Sequence, residues 1–198
     1  MPFIGLTGGM GAGKSTALAA LQRLGAAVIS SDELVHELYG GEQVRDAVLA
    51  RWGEEMAPGG VVDRAAVARR AFASAEDRAW LEGLLWPLVG ARVAAWLEEL
   101  RERGGEGQPR PRAAVAEVPL LFEAGLEGLY DATIAVVCDE RLRAERASAR
   151  GHVLADERSA RQLSQEDKAA RATFVVRNDG STDDLQRALS AVLEKLQA

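Results

Sequence analysis

The run Gly8-Gly9-Met10-Gly11-Ala12-Gly13-Lys14-Ser15 constrains this chain more than any other feature, because it satisfies the pattern G-x-x-x-x-G-K-[ST]. Its context narrows the fold further. Pro2 to Thr7 is a short apolar run that ends abruptly in glycines, as a buried parallel strand does. Lys14 to Leu24 reads as a helix, with Leu18, Leu21 and Leu24 at helical spacing and Gly25 just past the end. Ala26 to Ile29 predicts a second strand. Strand, glycine loop, helix and strand make a βαβ unit, which implies a parallel sheet with a right-handed crossover.

Each residue type in the loop has a physical reason to be there. Glycines let successive backbone N–H groups turn inward around a phosphate with no side chain in the way. The helix that follows points its N-terminal amides and the positive end of its dipole at the same anion. Lys14 is long enough to reach β- and γ-phosphates, and the Ser15 hydroxyl suits a magnesium ion bridging them. Thr16 is next in line, within reach of an α-phosphate. A glycine-rich turn before a helix is the plain alternative, and the strand–loop–helix context favours the phosphate site.

Downstream, residues 33 to 104 read as helical. Leu34, Leu38, Val44, Val48, Val67, Leu81, Leu84, Leu85, Leu88, Val93 and Leu100 fall in amphipathic patterns, interrupted at Gly40-Gly41 and at Pro58-Gly59-Gly60. Residues 104 to 112 read as an exposed Gly/Pro-rich loop. Ala113 to Val118, Ala132 to Cys138 and Phe174 to Val176 predict three further strands. An Arg-rich helical stretch spans 141 to 171, and Asp183 to Leu196 predicts a closing helix capped by Ser181 or Thr182.

The expected architecture is α/β, a three-layer P-loop fold around a central parallel sheet. Its core is 1–32, 113–140 and 172–198, with a helical acceptor-binding insert at 33–112 and an Arg-rich lid at 141–171. The 198 residues suit one such domain.

Charge and cysteine content exclude other classes. A net charge of -6 provides no global field for nucleic acid. With Cys138 as its only cysteine the chain forms no internal disulfide, which fits a reducing cytosol. The absence of a leader-like start and of long apolar stretches predicts a cytoplasmic protein without membrane contact. His36 and His152 lack metal-ligand spacing. A monomer is the expectation, with oligomers left open.

The loop defines the nucleotide and leaves the acceptor undefined. No Asn-Lys-x-Asp motif of guanine-specific GTPases occurs. A small-molecule kinase needs a carboxylate for the acceptor hydroxyl and cationic groups over the transferring phosphate. Asp32, at the carboxyl end of the second predicted strand, is the candidate carboxylate; the other reading is an N-cap for the helix that follows. Arg141, Arg143, Arg146, Arg150, Arg158, Arg161 and Arg171 are the candidate cations, two or three of them expected on phosphate. The rest fit a solvated helix face laced with Glu140, Glu145, Asp156 and Glu157. Glu117 reads either as a partner behind magnesium or as a polar residue at a sheet edge. Cys138 reads as an inert core thiol, and Trp52, Trp80, Trp86 and Trp96 read as packing residues.

With these residues in place, the chain resembles the dephospho-coenzyme A kinase family over nearly its whole length. "IGLTGGMGAGKST" is similar to the family's start, and "VISSDELVHEL" resembles the segment carrying its catalytic aspartate, which maps to Asp32. "VAEVPLLFEAGLE" contains the run Pro119 to Glu123 typical of the family. The ending resembles the family's order of Arg, Gln, Lys and an Asn-x-Gly turn, here Arg158, Gln162, Lys168, Asn178 and Gly180.

The resemblance implies transfer of the ATP γ-phosphoryl group, with Mg2+, to the ribose 3′-hydroxyl of dephospho-coenzyme A. Asp32 would act as base or orienting group, and Lys14 and Ser15 would hold the phosphates and magnesium. Gly9, Gly11, Ala12, Gly13 and Thr16 would line the cradle, Arg150 and Arg158 would close over the phosphate, and Asn178 and Gly180 would lie near the adenine. Ser30-Ser31-Asp32 departs from the Asp-Ala-Asp of many relatives, and Trp86 stands before Pro87 where a histidine is usual. Trp86 either stacks on a flat ligand or packs in the core, the core being expected. A kinase for another nucleoside or small metabolite, and a nucleotide-dependent switch, are the competing readings.

Overall fold

The structure is a computed structural model that describes residues 1–103, 110–148 and 162–197. The chain divides into a unit of Met1–Ser30 with Leu100–Ala198 and a unit of Ser31–Glu99.

The first unit is built on a five-stranded sheet: β1 (Phe3–Gly8), β2 (Ala27–Ser30), β3 (Ala114–Glu117), β4 (Ala132–Val137) and β5 (Phe174–Arg177). The order is β2-β3-β1-β4-β5 and every pairing is parallel. Parallel strands covered on both faces read as continuous apolar runs, and β4 is buried at every position. Each strand begins or ends within a residue of its predicted bound, the ordinary scatter at element ends. Cys138 lies one residue beyond β4 and not inside it, yet it is buried.

Side chains alternate across the sheet. Ile4, Leu6, Val115, Ile134 and Val136 join one buried cluster with Ala17, Ala20 and Leu21 of α1 (Lys14–Arg23). Leu185, Leu189 and Leu193 of the closing helix (Thr182–Gln197) belong to the same cluster. The alternate residue Thr7 meets Lys168 of the short helix Gln165–Arg171 instead. The helix Glu140–Ser148 follows β4. These three helices are α8, α7 and α6 in chain order below.

Ser181 starts α8. Its Oγ accepts from Asp184 N–H, and Asp184 Oδ2 accepts from Ser181 N–H at 3.0 Å, a reciprocal capping box. The sequence left Ser181 and Thr182 as alternatives; Thr182 is the first helical residue.

The second unit contains α2 (Ser31–Leu38), α3 (Glu42–Trp52), α4 (Arg64–Ala73) and most of α5 (Ala75–Arg103), with short 3-10 turns at Glu54–Met56 and Pro58–Gly60. The predicted breaks at Gly40-Gly41 and Pro58 fall between these helices. Its core gathers Val44, Val48, Trp52, Val62, Val67, Ala71 and Leu85. Asp77 is buried beneath it and accepts from the Trp52 indole Nε1–H at 3.1 Å and from Arg51 Nη2 at 3.0 Å. The indole bond and Arg51 hold the Asp77 carboxyl below the usual carboxylate range, against burial. Trp80 meets Trp52 edge-on, ring centroids 4.8 Å apart. The packing role expected of Trp86 is overturned. It stands on the outer face of α5 with 49% of its surface exposed, one residue before the helix-internal Pro87.

Candidate active site

The phosphate loop hangs between the end of β1 and the start of α1, at the carboxyl edge of the sheet. That is the edge where open parallel sheets bind ligands. Gly8, Gly9, Gly11, Ala12 and Gly13 are buried, Lys14 and Thr16 are half-buried, and Ser15 is exposed. Gly13 occupies the N-cap of α1 with φ +94° and contributes no side-chain cap, and no acidic residue enters the first turn. The helix therefore offers its N-terminal amides and dipole to an anion. Lys14 Nζ lies 3.5 Å from the Gly9 carbonyl, folded back over the loop.

Two glycines are fixed by contact. Gly11 has φ +81°, and a Cβ there would lie 2.3 Å from the backbone oxygen of Arg143. A Cβ on Gly13 would lie 2.0 Å from Asn178 Nδ2. The loop is thus pressed by α6 and by the turn after β5.

The crest residue Met10 is held at both ends of its backbone. Its N–H donates to Gln162 Oε1 at 3.2 Å, and its carbonyl accepts from Arg143 Nη1 at 3.1 Å. Glu140 orients that guanidinium, Oε2 accepting from Arg143 Nε at 2.8 Å. The pairing lifts the Arg143 pKa and lowers that of Glu140. Asn178 is buried, and its Nδ2 donates to the Ala12 carbonyl at 2.9 Å. Arg146 Nη1 donates to the Asn178 carbonyl at 3.1 Å. Gly180 is exposed in the turn leading into α8. Gln165 braces the start of α6 from both sides of Cys138, accepting from its N–H at 2.9 Å and donating to its carbonyl at 3.0 Å. Burial pushes the Cys138 thiol up from its ordinary value, the direction that disfavours the reactive thiolate.

A second layer lies behind β1. Thr7 Oγ1 donates to the Pro119 carbonyl at 3.2 Å. Lys168, fully buried, donates to the same carbonyl at 2.7 Å and pairs with Glu123 Oε1 at 2.8 Å. Arg171, one turn on, pairs with Glu127 and stacks 5.0 Å over the Phe122 ring. The run Pro119 to Glu123 is thus gripped by α7. At the sheet edge, Glu117 is buried and Oε2 accepts from Ser30 Oγ at 3.0 Å, with Leu6 of β1 in register beside it.

Of the predicted residues, the structure brings Gly9, Gly11, Ala12, Gly13, Lys14, Ser15, Thr16 and Asn178 together in the first unit. Asp32 is an exposed residue in the first turn of α2, two positions beyond the last residue of β2, and belongs to the second unit. Arg150, Arg158 and Arg161 lie outside the described residues. Arg143 pairs with Glu140, as the laced helix face predicts, and also reaches the Met10 carbonyl; Arg146 bonds to the Asn178 carbonyl, and the exposed Arg171 pairs with Glu127. Sequence reasoning gave no role to Gln162, Lys168 or Glu123, since their partners lie tens to more than a hundred positions away.

The dephospho-CoA kinase family pattern matches residues 2–184. A dephospho-CoA kinase from Rhizobium meliloti is 35% identical over 201 residues, covering 100% of both chains. One from Deinococcus radiodurans is 38% identical over 98% of this chain and 92% of its own. The crystal structure of TT1252 from Thermus thermophilus superposes with a TM-score of 0.79 at 36% identity, over 100% of this chain and 98% of that one. A phosphate cradle on a parallel sheet, a Pro-Leu-Leu-Phe-Glu run held by Lys168 and likeness along the full length converge on one assignment. The chain belongs to the dephospho-CoA kinase family.

Proposed function

We propose that this enzyme transfers the γ-phosphoryl group of ATP to the ribose 3′-hydroxyl of dephospho-coenzyme A, giving coenzyme A and ADP, the last step of coenzyme A biosynthesis. The family match across residues 2–184 carries the reading, since it takes in the phosphate loop, the segment of Asp32 and the run Pro119 to Glu123.

Phosphoryl transfer asks a protein for position and charge more than for covalent chemistry. The loop from Gly9 to Thr16 wraps the β- and γ-phosphates with those of its N–H groups that Gln162 and the Gly9 carbonyl do not already take, and Lys14 neutralises the charge that moves toward the leaving oxygen. The exposed Ser15 hydroxyl is a hard oxygen donor at the first turn of α1 and fits Mg2+, with the substrate's own phosphates completing the shell. Magnesium held there would supply charge neutralisation for the transferring phosphoryl group. Asp32 orients the acceptor hydroxyl and takes its proton as the new P–O bond forms. Arg150 and Arg158 stabilise the equatorial oxygens, and Asn178 and Gly180 border the adenine. Residues 141–171 act as the lid, and 33–112 holds the acceptor. The cytoplasm is the compartment this chemistry suits, supported by the lone thiol Cys138; no described helix is long and apolar enough to cross a membrane.

The test is ADP formation from ATP and magnesium, with and without dephospho-coenzyme A, and product analysis for a 3′-phosphate. ADP that appears only with this acceptor supports the reading. ADP formed equally with unrelated nucleosides, or without acceptor, sinks it.

A further inference from the structure

Lys168 is 0% exposed, a position that almost always rejects a cation. Burial pulls its ammonium below the usual lysine range, and Glu123 opposes that pull. The pair is incompletely satisfied: Glu123 Oε2 is buried without a hydrogen-bond partner among the described residues. Buried ion pairs of this kind add little to stability, and an apolar filling of the same volume is often as good or better. Their presence calls for another explanation.

The connections supply one. Lys168 Nζ reaches Thr7 Oγ1 at 3.4 Å and the Pro119 carbonyl at 2.7 Å, so it fixes the residue from which the phosphate loop departs. Its partner Glu123 accepts at Oε1 from the backbone N–H of Leu163 at 2.8 Å. Leu163 adjoins Gln162, whose amide oxygen holds the Met10 N–H at the loop's crest. One buried cation therefore sets both the root of the loop, through Thr7, and its crest, through Glu123, Leu163 and Gln162. We propose that Lys168 is a positioning residue for phosphoryl transfer, paired with Glu123 to hold the phosphate loop in its reactive shape while touching neither substrate.

The assignment rests on the kinase reading above, and the test separates the two. The double variant Lys168→Met/Glu123→Leu replaces the pair by apolar side chains, and Gln162→Leu removes the Met10 bond alone. For each, three quantities are measured: the melting temperature, kcat and KM for ATP at saturating dephospho-coenzyme A, and the exchange rate of the Met10 amide by NMR. The double variant is expected to melt near wild type. In both variants Met10 exchanges about tenfold faster or more, and kcat falls by about 10- to 10²-fold while KM for ATP moves less, as a small misplacement of reacting groups predicts. A folded double variant with wild-type kcat and wild-type Met10 exchange overturns the proposal. So does Gln162→Leu with unchanged kcat, which decides the matter even if the double variant does not fold. If the wild type shows no turnover with dephospho-coenzyme A, the acceptor assignment fails, and Met10 exchange alone then judges Lys168.

Discussion

Gly11 and Gly13 exclude a side chain for two reasons at once, left-handed backbone and a neighbour already in the space. Strain of this kind costs about 1–3 kcal/mol where nothing else relieves it. Gly11→Ala is expected to lower the melting temperature and to weaken ATP binding at least about tenfold, since the obstructing atom is the Arg143 backbone oxygen and cannot swing aside. Calorimetric titration with ATP reads the second effect directly. Asp32 poses the opposite case, an exposed side chain whose removal disturbs little packing. Asp32→Ala should leave the circular dichroism spectrum intact and reduce kcat by about 10²–10⁴-fold, the usual cost of a lost general base. A loss below about tenfold in ADP release would return Asp32 to the role of a helix-start residue. Asn178 shows where local reading stops. The family resemblance sets it near the adenine, and what no local pattern could give is that its side chain holds the carbonyl of Ala12, a residue 166 positions away.

Elements were more legible than contacts. The strands announced themselves because parallel strands covered on both faces need apolar side chains throughout, as Ala132–Val137 has. The helices of the second unit followed from apolar spacing and from glycine and proline breaks, features that depend on near neighbours only. Trp86 misled because an aromatic on an amphipathic helix ordinarily packs inward, and only the tertiary arrangement turns it out. The capping box of α8 yields a test at this scale. Ser181→Ala should cost about 1 kcal/mol in chemical denaturation. Hydrogen bonds from the Ser181 hydroxyl and N–H, then Arg187, bring the Asp184 carboxyl from 3.8 down to about 2. A folded-state value below the unfolded one favours the native state above pH 3.8 and loses that contribution as the pH falls toward 2. In wild type the acid limb of the stability curve should therefore be steeper than in Asp184→Asn, as thermal melts between these pH values would show.

For the whole molecule, binding is a stability statement. ATP at about 100 times its Kd should raise the unfolding free energy by about 2.7 kcal/mol if it binds the folded chain alone. Absence of a shift in a thermal melt with ATP and magnesium would contradict the phosphate site itself. The chain also carries a built-in optical asymmetry. Trp52, Trp80, Trp86 and Trp96 all lie within Ser31–Glu99, and the unit that holds the phosphate loop has no tryptophan. Indole emission during denaturation therefore follows one unit of the protein, whereas far-ultraviolet dichroism follows both. Coincident transitions would mean that the two units unfold as a single cooperative body; separated ones would assign each unit its own midpoint, without a label ever being attached.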